Sequence, residues 1–155
     1  MKKITNELLD ELTKKAQNSP RKRMNYNFHE PMNETLHRML NAIEPESYIQ
    51  PHKHESPDKA ESFVVLRGEV LSVIFDNQGH ITDHALLSAK NGPFGIDIPA
   101  RIWHTLIALK PGSIIYESKD GPWQQANDKN FAPWAPTEGQ NGNMEYMEKL
   151  KKTLL

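Results

Sequence analysis

The middle of the chain is a series of short β-rich segments separated by turn residues, and this pattern limits the possible folds most strongly. It runs from Ser47 to about Lys119, with the clearest hairpin signals at 66–69 (Leu-Arg-Gly-Glu) and 76–79 (Asp-Asn-Gln-Gly). Strands are predicted near 47–51, 61–67, 70–76, 80–87, 94–98, 102–109 and 113–119. Seven short strands without intervening helices predict a mainly β fold, either a sandwich or a barrel.

Helical patterns precede this region. Thr5 is a suitable N-cap for a helix over about 6–17, because the apolar residues that follow it have helical spacing. A second short helix is predicted after Asn33, ending before Pro45. Its apolar positions are Leu36, Met39, Leu40 and Ile43.

The C-terminal part differs again. Residues 120–141 are rich in Gly, Pro, Asn and Trp and predict an extended arm, followed by an amphipathic helix. The apolar stripe of that helix is Met144, Met147, Leu150 and Leu154. The prediction is one domain over 1–155, with an N-terminal helical segment (1–45), a barrel (46–119) and a C-terminal arm and helix (120–155).

Length and charge limit the function. A chain of 155 residues can bury roughly 70% of its unfolded surface and needs no disulfides, and it contains no cysteine. The balance of 19 basic against 20 acidic residues argues against a general nucleic-acid or membrane-surface role, so the expected partner is a small molecule. Acidic residues interrupt the first dozen positions, which excludes the apolar core of a signal peptide and predicts a cytoplasmic protein.

Four residues have the spacing and chemistry of a metal site. His52 and His54 are two apart, so an extended chain places both imidazoles on one face. Glu61 opens a β-rich run that ends at Gly68, and His104 follows a proline-led turn into another strand. Three imidazoles and a carboxylate suit one divalent transition metal and leave coordination positions open.

These residues resemble the two cupin motifs. His52-x-His54 and Glu61, which six residues separate from Gly68, resemble the first motif, and Pro99-x-x-x-x-His104 resembles the second. Counting back from the glycine selects Glu61 over Glu55. Nearly the whole chain is similar to the WbuC-type cupin-fold metalloproteins of bacterial O-antigen clusters. That similarity rests on the segments SPRKR (19–23), NYNFH (25–29), PHKH (51–54), PDK (57–59), FVVLRG (63–68) and WHT (103–105).

The resemblance implies a cupin double-stranded β-helix, a jelly-roll barrel, with flanking N- and C-terminal helices. It also implies that the metal ligands are His52, His54, Glu61 and His104. The metal would be Fe, Mn, Ni, Zn or Co, because this ligand set does not select among them.

A set of basic and polar residues is the candidate substrate site. An anionic substrate, a sugar nucleotide if the O-antigen association holds, would require cationic and hydrogen-bonding partners. The candidates are Arg21, Arg23, Tyr26, Asn27, Lys59 and Arg101. The basic run 21–23 has a second interpretation as a solvated connector.

His29 also has two interpretations. At alternating spacing from Asn25 and Asn27, it could face the cavity as a general base, since an imidazole titrates near neutral pH. Alternatively it caps local structure.

Two classes of function fit these residues. One is a metal-dependent enzyme, of an isomerase, epimerase or dioxygenase type, in which the metal polarises a substrate oxygen or activates dioxygen. The other is a binding module that holds a metal or metabolite and regulates or scaffolds a pathway. The apolar stripes outside the barrel further predict a homodimer.

Overall fold

The computed structural model describes residues 1–124 and 128–155, which form ten strands and two helices. In chain order these are α1 (Asn6–Asn18), β1 (Arg23–Asn27), β2 (Leu36–Ile43), β3 (His52–Lys53), β4 (Glu61–Arg67), β5 (Glu69–Phe75), β6 (Ile81–Ser88), β7 (Gly95–Ile98), β8 (Trp103–Ala108), β9 (Ser113–Asp120), β10 (Asn130–Phe131) and α2 (Asn143–Leu154).

The strands form two five-stranded antiparallel sheets. The first has the order β1-β2-β9-β4-β7, and the second has the order β10-β3-β8-β5-β6. A core cluster with members from both sheets includes Ile43, Phe63 and Ile115 of the first and Val70 and Leu106 of the second. The predicted mainly β fold with terminal helices is confirmed.

Both helices cover an outer sheet face. The Thr5 hydroxyl accepts a hydrogen bond from the Leu8 amide at 3.4 Å, which caps α1 as predicted. Leu9 and Leu12 of α1 pack in one cluster with Leu40 of β2. The stripe of α2 packs in a separate cluster that includes Met147, Leu150, Leu71, Phe75 and Trp103. Helical periodicity therefore identified both helices correctly.

The predicted helix over 33–43 is wrong, because Leu36–Ile43 is the strand β2. This strand pairs with β1 on one side and β9 on the other. Its two faces are both partly apolar, since Leu40 packs towards α1 while Ile43 belongs to the core between the sheets. The spacing 36, 39, 40, 43 therefore imitates a helix, and pairing with two neighbouring strands decides the outcome.

The strand predicted at 47–51 is also absent, and only His52–Lys53 of that region forms a strand. The other six predicted strands are present with ends shifted by at most one residue. The arm contributes β10, which pairs with β3. Across the described ranges, no helix combines the length and apolar character needed to span a membrane.

Candidate metal centre and its cavity

The four predicted ligands lie together between the sheets. His52 of β3 and His104 of β8 are directly paired across neighbouring strands, which brings their side chains side by side. Glu61 begins β4 of the opposite sheet, and His54 follows β3. Their ligand atoms all lie within 4.8 Å of one another, and each residue is at most 5% exposed.

Backbone carbonyls orient all three imidazoles. The Nδ1 atoms of His52 and His104 lie 3.0 Å and 2.9 Å from the carbonyl oxygens of Gln50 and Ile102. The Nδ1 atom of His54 bonds the carbonyl oxygen of Asp128 in the same way. Each Nδ1–H therefore donates to a carbonyl, which leaves the Nε2 lone pair of each ring as a metal ligand.

Several of the remaining atoms are buried without a hydrogen-bond partner. These are Nε2 of His54, Nε2 of His104 and Oε1 of Glu61. The Glu61 carboxylate lies 2.5 Å from His104 Nε2 and 3.3 Å from His54 Nε2, but without satisfying hydrogen-bond geometry for these atoms. A buried polar atom left unpaired costs about 1–3 kcal/mol, and a shared cation would satisfy all three. The donor set fits a divalent transition metal.

The charge states also suit metal binding. Burial, with the charges of Lys129 and His104, lowers the pKa of His52 well below its ordinary value, which keeps the ring neutral. Burial alone would raise the pKa of Glu61, but the contacts with His104 and His54 outweigh it and hold that pKa well below its ordinary value. His52 is thus biased toward neutral imidazole and Glu61 toward ionised carboxylate, the forms that coordinate metals.

A cavity of about 420 Å³ opens from this centre. His52, Glu61 and His104 form part of its wall. Half of the other lining residues are apolar, and these are Pro20, Met24, Ile43, Ile49, Phe63, Leu106 and Ile115. The other half are polar or charged, and these are Ser19, Arg21, Arg23, Asn25, Asn41, Glu117 and Lys129. The size lies within the range of small-molecule sites, roughly 300–1,000 Å³. The centre therefore faces a space that can hold a small ligand.

Asn41 and Glu117 add a hydrogen-bonded pair to the cavity wall. Asn41 Nδ2 of β2 donates to Glu117 Oε2 of β9 at 2.7 Å. Burial, followed by the charge of Glu61, raises the pKa of Glu117. The cavity thus contains a carboxyl group, separate from the candidate metal ligands, whose pKa is raised although Lys119 Nζ lies 3.8 Å from Glu117 Oε1.

Lys129 adds a positive charge to the same space. Its side chain borders the cavity and so keeps accessible surface, although the surrounding protein desolvates it. This desolvation, followed by the charge of Lys119, lowers the pKa of Lys129. The charge of Lys129 in turn affects the pKa of His52 and Glu117, so it acts at both polar parts of the wall.

Arg21 and Arg23 border the cavity, but both bind Glu138. Arg21 Nε lies 2.7 Å from Glu138 Oε1, and Arg23 Nη2 lies 2.6 Å from Oε2. Arg23 also donates to the Tyr48 carbonyl oxygen at 2.9 Å. Although burial opposes the shift, the two guanidinium groups lower the pKa of Glu138 to about 2. The structure therefore places the basic run next to the cavity with an acidic partner already bound.

The other two predicted cations are also paired. Lys59 is only 2% exposed, and its ammonium lies 2.8 Å from Asp128 Oδ1. Arg101 lies 2.8 Å from Asp58 on the surface. In the part of the chain that the structure describes, neither Lys59 nor Arg101 lines the cavity.

His29 lies away from the cavity wall formed by the described residues. Its Nδ1 accepts a hydrogen bond from the Arg38 amide at 3.1 Å, and its ring stacks on His37 with centroids 4.0 Å apart. These contacts match the local structural role that the sequence left open.

Tyr26 and Asn27 likewise make local contacts. Tyr26 packs edge-on against Phe28, and Asn27 Oδ1 accepts from Asn25 Nδ2 at 2.7 Å. Within the described chain these two are also outside the cavity lining, so their role in substrate binding stays a prediction.

Sequence reasoning did not assign Asn41, Glu117 and Lys129 to the site. Glu117 had a usable signal, because strand alternation puts it on the same face as the core residue Ile115. The sequence offered no such signal for Lys129, because its position depends on how the C-terminal arm packs against the barrel.

Comparisons with known proteins agree with this architecture. The family model described as "Domain of unknown function (DUF6016)" matches residues 4–87, which is more than half of the chain. The chain belongs to this family. No curated protein matches the chain.

Solved structures show which fold this DUF6016 protein has. It is similar to KdgF from Halomonas sp. (16% identity, TM-score 0.53, 70% of this chain and 87% of that one) and to the capsular polysaccharide assembling protein CapF from Staphylococcus aureus (17%, 0.59, 73% and 32%). It is also similar to oxalate oxidase in complex with the substrate analogue glycolate (14%, 0.56, 87% and 68%). The chain spans about a third of CapF. These neighbours are cupin-fold proteins, so the DUF6016 chain has the cupin fold.

Proposed function

We propose that this protein is a metal-dependent enzyme that acts on a small anionic molecule. The observation that carries the proposal is a group of buried, unpaired ligand atoms from His54, His104 and Glu61 beside a cavity of about 420 Å³. A structural metal site is normally closed by protein ligands, whereas a catalytic site keeps positions open next to a substrate pocket. When bound, the metal would supply a Lewis acid for a substrate oxygen.

The chain's own residues supply the remaining functions. His52, His54, Glu61 and His104 would hold the ion, and the carbonyls bonded to their Nδ1 atoms fix the ring orientations. Glu117, bonded to Asn41, can hold a proton inside the cavity. A positioned acid–base group distinguishes an enzyme from a module that only binds a metal, so Glu117 favours the enzyme over the regulatory or scaffold alternative.

The charges around the cavity support an anionic substrate. A divalent ion held by one carboxylate and neutral imidazoles keeps positive charge, and Lys129 adds more. A sugar-derived substrate related to O-antigen chemistry rests on the WbuC-type motifs alone. The apolar half of the cavity lining offers no partners to sugar hydroxyl groups, so we propose the broader class of small anions.

Metal analysis followed by activity screening tests this function. The protein should be purified without chelators or immobilised-metal chromatography, analysed by mass spectrometry for metals, and assayed with each candidate metal against small organic anions. We expect about one metal ion per chain and turnover that requires it. A protein that neither contains nor takes up a divalent metal would overturn the proposal.

A further inference from the structure

The cations near the cavity differ in how they are paired. Arg21 and Arg23 share Glu138. Lys119, which is buried beside the cavity residue Glu117, lies 3.1 Å from Asp128. Lys129, in contrast, has no ion pair with any residue that the structure describes, although it faces the cavity. An unpaired cation on a cavity wall is stabilised by an anionic ligand, so Lys129 is the cation best placed to bind one.

The walls specify the body of the ligand. Ile43, Ile49, Phe63, Leu106 and Ile115 line the cavity, and all of them belong to or pack against one core cluster. A ligand held here removes apolar wall surface from water, which favours binding by roughly 25 cal/mol per Å² when the ligand surface is also apolar. Hydroxyl groups against these walls would instead lose their hydrogen bonds to water.

We propose that the ligand of this cavity is a monocarboxylate with a compact apolar body, whose carboxylate lies between the metal-ligand cluster and Lys129. This inference rests on the proposed function, because it concerns the same cavity. A sugar nucleotide is disfavoured for two reasons. Its phosphates carry more negative charge than Lys129 and one partly neutralised metal can balance while Arg21 and Arg23 are paired with Glu138, and its sugar and ribose hydroxyls would find partners only in the polar half of the lining.

Binding of defined probes to the cobalt-loaded full-length protein tests this inference. The probes are 3-phenylpropionate, glycolate and glucose 1-phosphate, measured by calorimetry, with the visible spectrum of Co²⁺ as an independent readout of metal occupancy. We expect 3-phenylpropionate to bind at least roughly tenfold more tightly than either other probe, because only it combines the carboxylate with a sizeable apolar body.

Two pairs of variants test binding of the ligand's carboxylate and of its apolar body separately. Lys129→Gln should weaken 3-phenylpropionate binding roughly 10- to 100-fold, the usual range for a charge-assisted hydrogen bond, whereas Lys149→Gln on the surface of α2 should not. Ile49→Thr should weaken the same probe roughly five- to tenfold. Ile96→Thr is its matched control, because Ile96 packs against the same core cluster but is not among the residues that line the cavity.

The outcomes distinguish the two proposals. Absence of a Co²⁺ spectrum in the wild-type protein overturns the proposed function and this inference with it. A normal Co²⁺ spectrum with tighter binding of glucose 1-phosphate, or with wild-type affinity in Lys129→Gln, overturns only the inference. If Ile49→Thr and Ile96→Thr weaken binding equally, the effect comes from the core and the apolar-body part of the inference is wrong.

Discussion

Two buried polar regions of the barrel differ in how completely they are satisfied. In the metal-ligand cluster, His54, His104 and Glu61 keep buried atoms without hydrogen-bond partners. In the charge cluster nearby, the Asp128 carboxylate is held by Lys59 at 2.8 Å and by Lys119 at 3.1 Å. The two clusters are joined, since the Asp128 carbonyl oxygen also orients His54.

The difference separates binding groups from structural groups. Buried charges that neutralise one another hold the arm against the barrel, and removing one leaves the others uncompensated. Buried nitrogen and oxygen atoms with no hydrogen-bond partner indicate instead a site that binds an ion or molecule.

His54→Ala should reduce the affinity for Co²⁺ by at least roughly 100-fold, because it removes one of the four ligands. The strand-built core should remain, since His54 lies outside the strands. Metal titration by visible absorption, with circular dichroism to monitor folding, measures both. His84→Ala, at an exposed position of β6, is the control and should keep full affinity. Equal metal loss in both variants would mean that His54 is not a ligand.

Asp128→Asn should lower the free energy of unfolding by about 3–5 kcal/mol, because Lys59 then remains buried without its counter-ion and Lys119 keeps only Glu117, at 3.8 Å. Urea denaturation measures this change. Asp58→Asn, which removes only the exposed pair with Arg101, should cost far less, because solvent screens that pair. If the two substitutions cost the same, the charge cluster has no structural role beyond that of a surface pair.

Arg23→Lys should lower the free energy of unfolding by about 1–2 kcal/mol while metal content stays unchanged. Lysine keeps the charge but cannot reproduce the fork that bonds the Tyr48 carbonyl oxygen and Glu138 together. Thermal unfolding and metal analysis of the same preparation check the two parts. Metal loss in this variant would contradict the conclusion that Arg23 serves a structural ion pair with Glu138.

The Glu138 carboxylate should give the wild-type protein a pH-dependent contribution to stability. Its pKa falls from 4.5 to about 2 in the folded protein, so the contribution is complete above about pH 4.5 and is lost as the pH falls towards 2. Because the group is partly exposed, Glu138→Gln should cost only about 1–2 kcal/mol at pH 7.

Urea denaturation across this pH range tests the prediction. The wild-type and Glu138→Gln curves should converge near pH 2, whereas Glu145→Gln, at an exposed position of α2, should follow the wild type throughout. A constant difference between wild type and Glu138→Gln from pH 7 to pH 2 would contradict the proposed ion pairs.

The sequence predicted that His52, His54, Glu61 and His104 lie together, and part of this arrangement is locally encoded. His52 and His54 share a face by strand geometry, and Gly68, with φ +79°, ends β4 at a fixed distance from Glu61. A Cβ atom at Gly68 would lie 2.3 Å from Ser113 Oγ, so this turn requires glycine. Residue spacing thus accounts for the positions of His52, His54 and Glu61 along their own segments.

The sequence predicted other features less well, because contacts between residues far apart in the chain determine them. The apolar spacing of Leu36–Ile43 fits a helix and a doubly covered strand equally, and pairing with β1 and β9 selects the strand. The roles of Arg23 and Lys129 were likewise not local. Glu138 lies 115 residues from Arg23, and Lys129 reaches the cavity only because β10 pairs with β3.

X-ray absorption spectroscopy of the Co²⁺-loaded protein reports the atoms bound to the metal, and so tests whether His52, His54, Glu61 and His104 form the metal site. We predict three imidazole nitrogens and at least one carboxylate oxygen, at roughly 2.0–2.2 Å, with one imidazole lost in His104→Ala. A first shell of oxygen atoms without imidazole scattering, unchanged in that variant, would show that the His52, His54, Glu61 and His104 cluster is not the metal site.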